Sequence, residues 1–170
     1  GEEVKLDPPK GDELPNKGFD PGEMGYIDPA ADGSEIEVKV DSKSKRLQLL
    51  KPFKPWDGAD ITDLVVLLKA RGKCTTDHIS PAGPWLRFRG HIDNISDNLF
   101  NSAESAFGYN PGSGKNIITG KIKKYSEIAR EYKEKGISWI AIGDENYGEG
   151  SSREHAAMEP RYLGCKAIIA

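Results

Sequence analysis

Two of the 170 residues are cysteines and three are histidines. Cys74 and Cys165 are too few for a disulfide framework or a metal cage, so the expectation is two free thiols in a reducing compartment. His78, His91 and His155 form neither an H-x-x-H nor an H-E-x-x-H pair, so no zinc site and no other bound metal is expected within the chain. The longest apolar run, Leu64 to Leu68, falls far short of the ~20 residues of a membrane helix. No N-terminal stretch reads as a signal or transit peptide. Charge of one sign is also scarce. The net −3 divides into −6 over residues 1–33, from nine acids and three lysines, and +3 over the remaining 137. A surplus of +3 does not make a nucleic-acid groove. What is present is a globular composition, 36% hydrophobic and 30% charged, of a length that suits one domain, with or without a tail.

Residues 1–33 contain six glycines and five prolines, a density that breaks helix and strand alike. They are expected to form an extended acidic arm, a linker over residues 1–35 ahead of a domain over residues 36–170. Glu35 to Val40 alternates polar residues with Ile36, Val38 and Val40, the period of a half-buried strand. Pro52 and Pro55 end regular structure, and Trp56 is expected to pack that stretch down. The next strand is expected from about Leu64 to Ala70. Cys74 to Pro84 reads as a polar loop, and residues 93–120 as irregular. Tyr125 to Lys135 has helical spacing with Gly136 as its stop. Ile137 to Ile142 reads as a buried strand, Ser152 to Leu163 as a helix and Lys166 to Ala170 as another strand. The alternation predicts parallel βαβ connectivity and an α/β fold. The chain stops inside or just after that strand, so the expectation is a domain cut short at its C-terminus.

Two segments carry the chemistry. Gly143-Asp-Glu-Asn-Tyr-Gly-Glu-Gly-Ser-Ser-Arg-Glu-His-Ala-Ala157 leaves a strand and opens a helix. Ser151 and Glu154 fit an S-x-x-E capping box. With Ser151 as the cap, the first turn presents free N–H groups and the positive end of a helix dipole to an anion. Arg153 adds a planar fork for a carboxylate or phosphate. A capped helix without a ligand is the competing reading, but in open α/β sheets ligands lie at the carboxyl ends of strands, where this loop falls. The glycines at 143–150 do not spell G-x-G-x-x-G, and Gly108 to Lys115 has one residue too many for a phosphate-binding Walker loop. Nucleotide binding is therefore not expected. The second segment, Cys74 to Asn94, concentrates Thr75, Thr76, Asp77, His78 and Ser80. In it Arg87 and Arg89 alternate with Leu86 and Phe88, which predicts one shared face for the two arginines.

The strings G-K-C-T-T-D-H-I-S at 72–80, G-P-W-L-R-F-R-G-H-I-D-N-I-S at 83–96 and G-D-E-N-Y-G-E-G-S-S-R-E-H-A-A at 143–157 together resemble the aconitase family, in its mitochondrial aconitate hydratase type. The likeness extends through R-L-Q-L-L (46–50), W-D-G (56–58) and E-P-R-Y-L-G (159–164), while residues 98–120 depart from the commoner pattern. The resemblance implies the C-terminal swivelling domain, a β/β/α-type α/β fold that closes over a cluster-bearing body. It implies interconversion of citrate and isocitrate through cis-aconitate, in the tricarboxylic acid cycle and the mitochondrial matrix (the cytoplasm in a bacterium).

On this resemblance Ser151 matches the catalytic base, Arg89, Ser152 and Arg153 match carboxylate-binding residues, and Asp77 and Ser80 match the supporting wall of the site. It further implies a [4Fe–4S] cluster held by three cysteines outside this chain, so the chain alone is expected to be inactive. Its partners would be the substrates and the body domains of the same enzyme, with no membrane and no nucleic acid. The rival readings are a related hydro-lyase, such as a homoaconitase or isopropylmalate isomerase, and a non-enzymatic RNA-binding relative or anion-binding module.

Overall fold

The computed structural model describes Gly11, Gly25 and residues 27–170. It divides into two units, Gly1–Val38 and Lys39–Ala170. Most of the expected arm over residues 1–35 lies outside the described residues. In the described part of the first unit the chain makes local turns, with the Ser34 amide donating to Asp32 Oδ1 at 2.9 Å and the Ile36 amide to the Gly33 carbonyl at 3.0 Å. The strand expected over residues 35–40 does not form, and Ile36 and Val38 are exposed. Alternation is only half of a strand's requirement; its backbone groups also need a neighbour to pair with.

The second unit is an α/β domain. In chain order its elements are β1 (Val65–Lys69), α1 (Thr76–Ile79), a 3₁₀ turn (Gly83–Phe88), α2 (Ile92–Ile95), a second 3₁₀ turn (Ser96–Asn98), β2 (Ser113–Lys115), β3 (Ile122–Lys124), α3 (Tyr125–Glu134), β4 (Trp139–Ile142), α4 (Glu154–Tyr162) and β5 (Cys165–Ile169). Strands β1, β4 and β5 form a parallel sheet with β4 in the centre; Val65 lies opposite Trp139 and Ile142 opposite Ile169. Strands β2 and β3 pair antiparallel, Ser113 opposite Lys124.

The parallel connectivity requires crossovers, and the helices that supply them cover the sheet. Helix α3 buries Tyr125, Ile128, Ala129 and Tyr132, the i, i+3, i+4, i+7 stripe of an amphipathic helix. The centre of the core is aromatic: Phe100 meets Tyr125 edge-on at 6.0 Å and Trp139 at 6.2 Å. The Trp139 indole N–H donates to the Leu163 carbonyl at 2.8 Å, fastening the end of α4 to the sheet.

Three expectations about local structure are corrected. Residues 93–120 are not simply irregular; they contain part of α2, a 3₁₀ turn and β2, and they bury Leu99, Phe100 and Ala103. Polar short-range signals hid these anchors because burial there comes from contacts distant in sequence. The stretch after Cys74 is not all loop, since α1 and a 3₁₀ turn interrupt it. Trp56 does not pack down: its ring is exposed, and its indole N–H closes a local turn onto the Ala59 carbonyl.

Candidate functional site

The carboxyl ends of β1 and β4 are adjacent, so the loops that leave them run side by side. Lys73 bridges Glu145 in parallel fashion. The Glu145 amide donates to the Gly72 carbonyl (3.2 Å), the Cys74 amide to Glu145 (2.9 Å), the Gly148 amide to Cys74 (2.9 Å) and the Thr76 amide to Glu149 (2.9 Å). The Asp144 carboxylate adds an acceptor for the Gly72 amide at 2.7 Å. The pairing of the sheet thus continues past its strands and fixes the second loop against the first.

Two glycines shape the second loop, Gly143 where it folds on itself and Gly150 where it meets the first loop. A Cβ on Gly143 would fall 2.8 Å from the Tyr147 Cβ. Gly150 has φ +114°, and a Cβ there would lie 3.1 Å from Thr76 Oγ1, a backbone region nearly closed to other residues.

Beyond Gly150 the chain bends at Ser151 and reaches an extended Arg153 (φ −132°, ψ 98°), which is the N-cap of α4 and makes no side-chain cap. The expected Ser151–Glu154 capping box therefore does not form. The turn at Gly150 delays the helix by two residues, which leaves Ser151 and Ser152 exposed ahead of it.

Arg153 gathers the site. Its Nη1 donates to the Asp77 carboxylate and to the Ser80 carbonyl at 3.2 Å. Its Nη2 lies 3.5 Å from Ser151 Oγ. The Ser80 hydroxyl, buried, donates to Glu159 Oε1 at 2.7 Å. Four of the six residues singled out in the sequence, Asp77, Ser80, Ser151 and Arg153, thus meet in one cluster. Ser152 is a chain neighbour of two of them and exposed.

Arg89 is tied in by its backbone: the buried His155 ring of α4 donates from Nε2 to the Arg89 carbonyl at 3.1 Å. Its side chain lines a separate cavity of about 270 Å³ with Gln48, Glu154 and His155 among its walls, and it has no salt bridge among the described residues. Arg87 and Arg89 do not share a face as strand alternation would give, because residues 83–88 form a 3₁₀ turn, where residues two apart diverge.

Sequence reasoning missed Glu159. Glu159 is wholly buried, its Oε2 has no partner, and burial pushes its carboxyl up to about 8. Thr76 Oγ1 is also buried without a partner. The available signal for Glu159 was its place four residues after His155, on the face that α4 turns inward.

The cysteines do not fit as ligands of an iron–sulfur cluster. Burial raises both thiols to about 11, so both keep their protons at neutral pH. Cys74 sits in the hydrophobic core, and Cys165 Sγ faces the Ala167 carbonyl at 3.3 Å. Among the described residues no three His, Cys, Asp or Glu side chains are grouped to hold a metal ion. No helix among them is long and apolar enough to cross a membrane.

An α/β domain with its polar cluster at the carboxyl ends of adjacent parallel strands is a ligand-site architecture. The family model for the aconitase C-terminal domain matches residues 64–170, and the chain belongs to the aconitase family. It is 57% identical over 169 residues to a probable mitochondrial aconitate hydratase of Dictyostelium discoideum, covering 99% of this chain and 22% of that protein. Identity to the mitochondrial aconitate hydratase of Saccharomyces cerevisiae is also 57% with the same coverage, and to a probable one of Caenorhabditis elegans 55%, over 21% of that protein. The chain spans about a fifth of the length of these curated relatives.

Proposed function

We propose that this chain is the part of an aconitate hydratase that carries the catalytic base and part of the carboxylate clamp. The observation that carries the reading is the Arg153 cluster, which joins Asp77, Ser80 and Ser151 at the ends of two parallel strands. A tricarboxylate requires several cationic forks, and Arg153 and Arg89, with the Ser152 hydroxyl, suit that task. Arg153 is held through Nη1 by Asp77 and Ser80, which sets its guanidinium beside Ser151 to meet an anion there.

Ser151 is the base that takes the carbon-bound proton of citrate or isocitrate. A serine serves as base only where its alkoxide is stabilised, and the Nη2 of Arg153 at 3.5 Å supports that role. Asp77 and Ser80 hold the arginine in place.

Departure of the hydroxyl needs a Lewis acid. The residues of this chain do not fit an iron–sulfur cluster, so on this reading the [4Fe–4S] group is held by cysteines elsewhere in the whole protein. The names of the relatives support a mitochondrial setting, and interconversion of citrate and isocitrate would place the enzyme in the tricarboxylic acid cycle. Residues 1–35 then act as the connector between this domain and the rest.

The test is made in the full-length enzyme. Ser151→Ala is expected to lower kcat strongly with little change in KM for citrate. A loss confined to KM contradicts the role as base. The 170-residue chain by itself is expected to leave cis-aconitate unchanged, and turnover by it refutes the division of labour. A panel with homoisocitrate and isopropylmalate separates the related hydro-lyases.

A further inference from the structure

Ser80 is gripped twice by α4. Its carbonyl accepts from Nη1 of Arg153 at the helix N-cap, and its hydroxyl donates to Glu159 within the helix at 2.7 Å. The next carbonyl, of Pro81, accepts from Asn98 Nδ2 at 3.0 Å. Of the two acceptors that orient Nη1, the Asp77 side chain is 66% exposed and free to swing, whereas Ser80 and Glu159 are buried. The stiff half of the Arg153 mount is therefore the Ser80 turn. Among the described residues, the partner of the Ser80 hydroxyl is Glu159.

We infer that Glu159 is a positioning residue that acts through Ser80 to set where the Arg153 guanidinium meets a substrate carboxylate. This rests on the reading of Arg153 as a carboxylate-binding residue. Burial keeps Glu159 in its neutral form near pH 7, so an uncharged carbonyl oxygen suffices to accept from Ser80. Without the acceptor, the Ser80 hydroxyl is left buried and unpartnered, and the turn relaxes to solvate it. Its carbonyl then leaves Nη1, and that nitrogen is left with Asp77 alone. A displacement of this kind costs binding without touching the substrate directly.

The experiment is steady-state kinetics on the full-length enzyme with citrate. Glu159→Leu and Ser80→Ala are each expected to raise KM about tenfold, and the double variant about as much as either single one, because both break one link. Glu159→Gln, which keeps the acceptor, is expected to restore KM to within about twofold of the parent. Unchanged KM with only a lower Tm, additive losses in the double variant, or damage by Gln equal to that by Leu each overturns the inference. Where Glu159→Leu does not fold, Ser80→Ala decides alone, a normal KM overturning the inference. Arg153→Lys separates the two levels. A normal KM there overturns the reading of Arg153, whereas a raised KM there beside a normal one in Ser80→Ala overturns only the role of Glu159.

Discussion

The two loops that leave the parallel sheet are built in opposite ways. The loop after β1 turns at once into α1 and hides its side chains: Cys74, Thr76, Ile79 and Ser80 are buried. The loop after β4 is exposed along most of residues 144–152. It takes its shape from backbone bonds to its neighbour, with Gly150 at the close approach to Thr76. The difference separates support from presentation. Core burial makes the first loop a rigid wall, and hydrogen bonding to that wall holds the second, so that Ser151 and Ser152 stand clear without a core of their own. Arg153 joins them, its side chain only 14% exposed although its chain neighbours are open to solvent.

Perturbations should therefore differ by loop. The largest effect is expected on the presenting side, where Ser151→Ala in the full-length enzyme lowers kcat by about 10³-fold, the scale of losing a positioned base. Gly150→Ala comes next: a side chain at φ +114° costs about 1–3 kcal/mol of strain. The loop then parts from Thr76, seen as a fall of about tenfold in kcat/KM together with a lower Tm. Should Gly150→Ala leave kcat/KM intact, the second loop does not depend on that close approach.

Asp77→Asn removes the charge of an exposed partner. It is expected to raise KM for citrate by only about threefold, as for a solvent-screened pair. Equal damage from Asp77→Asn and Ser80→Ala would erase the contrast between a swinging and a buried mount.

On the supporting wall the reporter is pH. The Glu159 carboxyl is raised from 4.5 to about 8 by burial, so the folded state holds its proton more tightly than the unfolded chain does. Its contribution to stability is full below about pH 4.5 and is lost as the pH rises through about 8. Tm should fall by a few degrees across that window, and Glu159→Gln should flatten the fall. The smallest effect is expected outside both loops. Arg71 and Glu104 form an exposed pair at 3.0 Å, and Arg71→Ala should change Tm by less than about 1 °C.

The elements legible in the sequence are those whose signals are local. Tyr125, Ile128, Ala129 and Tyr132 declare α3 by spacing, and the Val- and Ile-rich runs declare β1, β4 and β5 by composition. The same rule misled at Glu35 to Val40, where alternation is present and the structure forms no strand. At Arg87 and Arg89 alternation was read in a 3₁₀ turn that begins after Ala82. The candidate site was legible as residues but not as an arrangement. Ser151 looked like a helix cap because Glu154 follows at the right interval, yet the turn at Gly150 moves the helix start to Glu154.

Sequence by itself determined the parallel α/β class, through local spacing and alternation, and pointed to the family, through the resemblance of its long motifs. Only the tertiary structure decided that Arg153 is shared between Asp77 and Ser80, and that a buried glutamic acid stands behind them. Asp77 and Arg153 are 76 residues apart, and Ser80 and Glu159 are 79 apart. No local pattern reports partners at that range. They meet because β1 and β4 pair side by side in parallel and bring their two following loops to the same edge.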